Sequence, residues 1–212
     1  MNFLILTGGE NRRIGGDKAG LKIGRYCLLE RVILQVDKAR RKGERIILVG
    51  KKPSLGKRLS GKVEWVEDVF SGRGPLGGIY SGLFFSNEEF NFVLGCDMPF
   101  LQGEFIDYMR RITPHYHVLL PSHTRGIEPL HAIYSKYCLP VIRERLERGE
   151  NKIQGIFPYL KVKFVEEKEI KRFSPPWLLF FNVNTPDDLK KARKLVAKEK
   201  SLLFWNLQEY VI

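Results

Sequence analysis

Short apolar runs of strand length recur along this chain: NFLIL (2–6), RIILVG (45–50), KVEWV (62–66), FNFVLGC (90–96), HVLLP (117–121), HAIYS (131–135), KVKFVEE (161–167) and LLFFNVN (178–184). Segments with a helical stripe lie between them. Leu28–Arg41 carries apolar residues at Leu28, Leu29, Val32, Ile33, Val36 and Ala39, the spacing of an amphipathic helix. Phe105–Ile112, Cys138–Arg148 and Asp187–Lys198 read similarly, and Pro75 marks a favoured first turn of another helix. The runs at 2–6 and 92–96 are continuous rather than alternating. That predicts burial on both faces, as in a parallel sheet covered by helices. Strand alternating with helix implies right-handed crossovers and an open, mostly parallel α/β sheet with helices on both faces. No linker or repeat interrupts the pattern, so one domain is expected over residues 1–200, followed by an apolar tail, 201–212.

Composition narrows the picture only in part. At 212 residues with 43% hydrophobic content, the chain is long enough for one sizeable core. No apolar run approaches the roughly 20 residues of a membrane span. The opening MNFLIL lacks the basic region of a signal peptide, so a cytoplasmic protein without membrane partners is expected. Cys27, Cys96 and Cys138 are too scattered for a disulfide framework or a zinc site. The net charge of +12 favours an anionic partner. Much of that charge sits in the clusters KARRKGER (38–45) and KKARKLVAKEK (190–200), the kind that usually form solvated helix faces.

The chemistry concentrates after the first strand. LTGGENRRIGGDKAGL (6–21) places Gly8, Gly9, Gly15 and Gly16 beside Arg12, Arg13 and Lys18. In open α/β sheets ligands gather at the carboxyl ends of strands, where strand order reverses. Glycines let backbone amides approach a ligand, and amides with cations make an anion cradle. Neither a Walker A loop nor a G-x-G-x-x-G fingerprint is present. A second candidate is Asp97, which follows the strand FVLGC: a carboxylate fixed there suits Mg²⁺, or serves as a turn residue before Pro99. Asp68 reads equally as ligand-binding or loop-stabilising. Asn184 reads equally as substrate-facing or as a cap for the helix starting at Thr185-Pro186.

Four blocks in order resemble the molybdenum cofactor guanylyltransferase (MobA) family of small nucleotidyltransferases: LTGGENRRIGGDKAGL, EDVFSGRGPLGGIYSGL (67–83), VLGCDMPFL (93–101) and NVNTPDDL (182–189). The resemblance implies a Rossmann-like sheet of the nucleotide-diphospho-sugar transferase type and Mg²⁺-dependent transfer of GMP from GTP to molybdopterin cofactor. It implies that Leu6, Thr7, Gly8, Gly9, Arg13, Lys18, Asp68 and Asp97 meet nucleotide. Within that set Arg13, Lys18 and Asp97 carry catalysis, and Asp97 holds the metal. Asn182 and Asn184 would face the pterin-side substrate, while Glu128 and His131, in GIEPLHAIY (126–134), meet substrate or are structural. Thr7 stands where relatives commonly carry Ala, and Lys51 where they tend to carry Asn. Competing readings are a cytidylyl-, uridylyl- or sugar-phosphate nucleotidyltransferase, and a basic nucleic-acid-binding module; no specific nucleic acid is expected, since the cations beside the glycines are spaced for one small polyphosphate. The sequence leaves monomer and weak oligomer both open.

Overall fold

The computed structural model describes residues 1–8, 18–53 and 55–208; the side chains of Lys18, Lys57, Arg58 and 199–208 lie outside that description. The first apolar run becomes strand β1 (Asn2–Leu6), buried at every position. After a 3-10 turn at Lys18–Gly20 come a small hairpin, β2 (Lys22–Ile23) and β3 (Tyr26–Cys27), and helix α1 (Leu28–Ala39). The chain continues through β4 (Ile46–Val49), α2 (Lys57–Ser60), β5 (Glu64–Val66), α3 (Gly74–Phe85), β6 (Phe90–Gly95) and α4 (Gly103–Ile112). Then follow β7 (Val118–His123), β8 (Gly126–Ile127), β9 (His131–Ser135), α5 (Leu139–Glu147), β10 (Val162–Glu166), α6 (Glu167–Ile170), α7 (Pro176–Leu179) and α8 (Pro186–Gln208).

The main sheet has the order β10-β7-β9-β6-β1-β4-β5, with β8 paired to β7. β5, β4, β1 and β6 run parallel, β9 is antiparallel to both its neighbours, and β10 is parallel to β7. The mostly parallel sheet expected from the pattern is therefore present, with β9 as its reversed central strand. Side chains alternate between two cores. Phe3, Ile5, Leu48 and Phe92 pack with α1 and α4, whereas Leu4, Leu6, Val49 and Val93 pack with α3 and α5. This two-sided burial is why those strands read as continuous apolar runs. A third cluster seats α8 through Leu189, Ala192 and Val196 against Ile23, Phe100 and Val183.

Local chemistry explains the element boundaries. Cys27 caps α1: its Sγ accepts from Glu30 N at 3.4 Å and its own N–H donates to Glu30 Oε2 at 2.9 Å. Burial pushes the Cys27 thiol up to about 11 and that of Cys138 up to about 12, so both are unreactive packing groups. The run at 178–184 is not a strand. Pro175 and Pro176 start the short helix α7, and the chain then runs irregularly to α8. The 200/201 division falls inside α8. Among the described residues, no helix is long and apolar enough to cross a membrane.

Candidate active site

The chain leaves β1, crosses to β4 and β5 on one side, then returns through α3 to β6 on the other side of β1. Strand order thus reverses between β1 and β6, the place at which open α/β sheets take ligands at the carboxyl rim. Leu6 ends β1 with its side chain buried under α3, and Thr7 and Gly8 follow at the rim. The Thr7 hydroxyl points to the β4 loop, within hydrogen-bond distance of the carbonyls of Val49 (3.0 Å) and Lys51 (2.8 Å). Gly50, at φ +106°, completes this join: a Cβ there would sit 3.1 Å from Gly8 N. Only glycine permits both that backbone conformation and that approach. Thr7 is thus a structural tie that aims Gly8, whose own Cβ position meets nothing within 4 Å among the described residues. Gly9 and Arg13 lie outside the described residues, as does the Lys18 side chain; the Lys18 backbone sits in the 3-10 turn before the β2–β3 hairpin.

On the β6 side of this reversal, Asp97 follows the strand. Its carboxylate folds back over the strand end, so a Cβ on Gly95 would meet Asp97 Oδ1 at 2.5 Å. Its carbonyl accepts from Val183 N at 3.1 Å, tying the chain before α8 to the same rim. Asp68, after β5, spends Oδ1 on Phe70 N (3.0 Å) and the Ser81 hydroxyl (2.8 Å). That geometry supports the loop-stabilising reading of Asp68. Gly78 and Gly82 of α3 lie against Leu6 and Leu4, so they serve close helix–sheet packing rather than approach to a ligand.

The third wall comes from β7, β8, β9 and the segment around α7. Because β9 is antiparallel to β6, residues 123–131 return to the rim that holds Asp97. There His123 Nε2 lies 3.0 Å from Glu128 Oε1, and its ring stacks on Phe180 at 5.2 Å between centroids. Arg125 N donates to His123 Nδ1 at 3.2 Å, which places the neutral ring's proton on Nε2 and makes His123 the donor to Glu128. Burial pushes the Glu128 carboxyl above its ordinary value; the His123 bond opposes this and the negative charge of Asp97 adds to it. His131 is fully buried among Phe92, Phe105 and Phe180, with neither ring nitrogen hydrogen-bonded. It belongs to the core.

A cavity of ≈ 650 Å³ opens beyond Glu128, lined by Arg125, Phe181, Asn182, Asn184, Trp177 and by Lys191, Lys194 and Lys198 of α8. Asn182 and Asn184 thus share one wall, with the Asn182 amide donating to Phe180 O at 3.3 Å. The cap of α8 is Thr185 with Asp188: Asp188 Oδ2 accepts from Thr185 N (3.0 Å), and Asp188 N donates to Thr185 Oγ1 (3.1 Å). The Thr185–Asp188 pair thus makes this cap, one residue after Asn184. Sequence reading missed the His123–Glu128 pair and Trp177. Segments distant in the chain bring them together, so no spacing signals them.

Among the described residues, no three His, Cys, Asp or Glu side chains converge as a metal cage. Mg²⁺ asks for less: one or two carboxylates, with phosphate oxygens and water completing its shell. Asp97, an oxygen donor on a strand end with space secured by Gly95, fits that requirement.

The fold is that of an α/β nucleotidyltransferase domain, and residues 3–162 match the MobA-like NTP transferase domain. The molybdenum cofactor guanylyltransferase of Desulfosudis oleivorans is 33% identical over 195 residues, covering 91% of this chain and 94% of that protein. The crystal structure of molybdopterin-guanine dinucleotide biosynthesis protein A from Archaeoglobus fulgidus aligns with TM-score 0.78 and 27% identity, over 93% of this chain and 100% of that one. The 2-C-methyl-D-erythritol 4-phosphate cytidylyltransferase of Thermus thermophilus shares the fold, with TM-score 0.65 at 16% identity over 92% and 97% of the two chains. The chain belongs to the molybdenum cofactor guanylyltransferase family.

Proposed function

We propose that this protein transfers GMP from GTP to the phosphate of molybdopterin cofactor, forming the guanine dinucleotide and releasing pyrophosphate, with Mg²⁺ bound through Asp97. The observation that carries the reading is the arrangement at the β1/β6 reversal. Gly8 ends the β1 side, Asp97 stands on the β6 side, and a cavity sized for an acceptor opens beyond Glu128. Such a transfer needs no covalent nucleophile, only alignment and charge neutralisation.

In this reading the backbone amides after Gly8 cradle the triphosphate. Arg13 forks two phosphate oxygens, and Lys18 places a point charge on the departing pyrophosphate. Asp97 holds Mg²⁺, which supplies further neutralisation of the phosphate oxygens when bound. Asn182 and Asn184 orient the acceptor from the opposite wall, where their amides both donate and accept.

Thermal shift with Mg²⁺ and each of GTP, CTP, UTP and ATP tests the donor. GTP is expected to stabilise most, and stabilisation by CTP alone overturns the choice of base. Asp97→Asn is expected to lower kcat by about 10² or more while leaving the melting temperature near that of the parent. Near-parental turnover in that variant removes the metal from Asp97.

A further inference from the structure

The chain after Asp97 is irregular until α4 begins at Gly103, yet Met98, Pro99, Phe100 and Leu101 are all buried. A buried loop has no water for its backbone polar groups, so they need partners from elsewhere in the fold. Helix α1 supplies two. Arg31 Nε donates to the Pro99 carbonyl at 2.9 Å, and its guanidinium carbon lies 5.5 Å from the centroid of the Phe100 ring. One turn further along α1, Gln35 Oε1 accepts from Leu101 N at 3.3 Å. A charged donor makes the stronger kind of hydrogen bond, and Arg31 thus grips the two residues that stand second and third after Asp97. The same helix is anchored on the β1 side of the site. Leu28 N donates to Leu21 O at 2.9 Å, and Ala19, next to Lys18, shares one buried cluster with Val32 and Ile33 of α1 and with Met98 and Leu101. The need to satisfy buried backbone accounts for each bond singly. It does not account for both coming from the helix that also seats the Lys18 turn.

We infer that Arg31, assisted by Gln35, is a positioning residue for the transfer: it fixes loop 98–101, and through it the Asp97 carboxylate, relative to the turn that carries Lys18. This rests on the metal-binding role proposed for Asp97. Neither α1 side chain needs to touch nucleotide, metal or acceptor. Helix α1 acts as a rigid spacer between the two sides of the β1/β6 reversal, and a slack loop would let the carboxylate drift from the phosphate oxygens it serves. Losing a partner that holds a metal ligand in place costs roughly 10–100-fold in metal affinity or rate.

The test measures the GTP affinity of the full chain by calorimetry, once with Mg²⁺ and once in EDTA; the ratio is the gain due to the metal. In the parent Mg²⁺ is expected to tighten GTP binding, and Asp97→Asn is expected to abolish that gain. Arg31→Met keeps the apolar stem and removes the donor. It is expected to cut the gain about tenfold, with affinity in EDTA within twofold and kcat lowered more than KM is raised. Gln35→Leu is expected to do the same more weakly, and it carries the test if Arg31→Met does not fold. In the Asp97→Asn background Arg31→Met is expected to lower kcat no further, because a residue that acts through Asp97 has nothing left to position. Ile142→Val, in the α3–α5 core on the opposite face of the sheet, controls for lost stability and is expected to leave the gain intact. An unchanged gain in both α1 variants overturns the inference, as does an equal loss in the control or an undiminished loss of kcat beside Asp97→Asn. A parent whose GTP affinity is the same with Mg²⁺ and in EDTA sinks the metal-binding reading itself, before α1 is in question.

Discussion

At the scale of single residues, the buried imidazole of His131 makes the sharpest statement. Burial alone drives its pKa down to about 3, against 6.5 for an exposed histidine. The folded chain therefore refuses a proton that the unfolded chain accepts. Stability is full above about pH 6.5 and is lost as the pH falls from there toward 3. At pH 5 the difference is about 2 kcal/mol. His131→Leu, which keeps the site apolar, is expected to lose less of its melting temperature between pH 7 and pH 5 than the parent does. A parallel loss in both proteins would show that another group sets the acid limit. Glu128 titrates in the other direction. Its raised carboxyl favours the folded state at low pH, and that contribution fades as the pH climbs through the raised value. The places of Asp97 and Gly8 at the carboxyl rim were legible from the apolar strands that precede them. The His123–Glu128 contact was not, because it depends on β8 turning the chain back toward the rim.

At the scale of elements, α3 shows how little room the fold allows. Its residues are apolar on every side, which fits a helix pressed between the sheet and α5. A Cβ at Gly77 would meet the Phe70 carbonyl at 2.7 Å, and backbone yields less readily than a side-chain tip. Gly77→Ala is expected to cost about 1–2 kcal/mol net, since overpacking outweighs the gain in helix propensity. Gly61→Ala, whose Cβ meets nothing within 4 Å among the described residues at φ −76°, is the control and is expected to cost little. Urea melts of both variants decide the point. Strands buried on both faces and helices with a clear stripe were legible, as β1 and α1 illustrate. The run at 178–184 was not, because periodicity cannot separate a short apolar strand from a buried helical turn. Phe180 and Phe181 there serve different clusters: one packs on His123 and His131, the other on Phe100. The hairpin of β2 and β3 escaped notice because two-residue strands are too short to alternate.

For the whole molecule, stability is graded across the sheet. β1 lies between β4 and β6 with every residue buried, while β10 at one edge and β5 at the other keep exposed positions. Hydrogen exchange is therefore expected to be slowest in β1, β4 and β6 and faster in β5 and β10. Equal protection throughout would mean the sheet opens only as one unit. The charge of +12 belongs to this scale too. Part of it lines a cavity through Lys191 and Lys194, so the cluster read from sequence as a solvated face has a second surface.

The reversal of β9 has a further meaning for how such a protein changes over time. Under the proposed function, the parallel strands beside Asp97 shape the bay for the energy-rich donor, and the run of chain that β9 returns to the rim shapes the bay for its recipient. Substitutions in one bay need not disturb the other. A lineage built on this plan is free to exchange recipients while its donor chemistry stays in place.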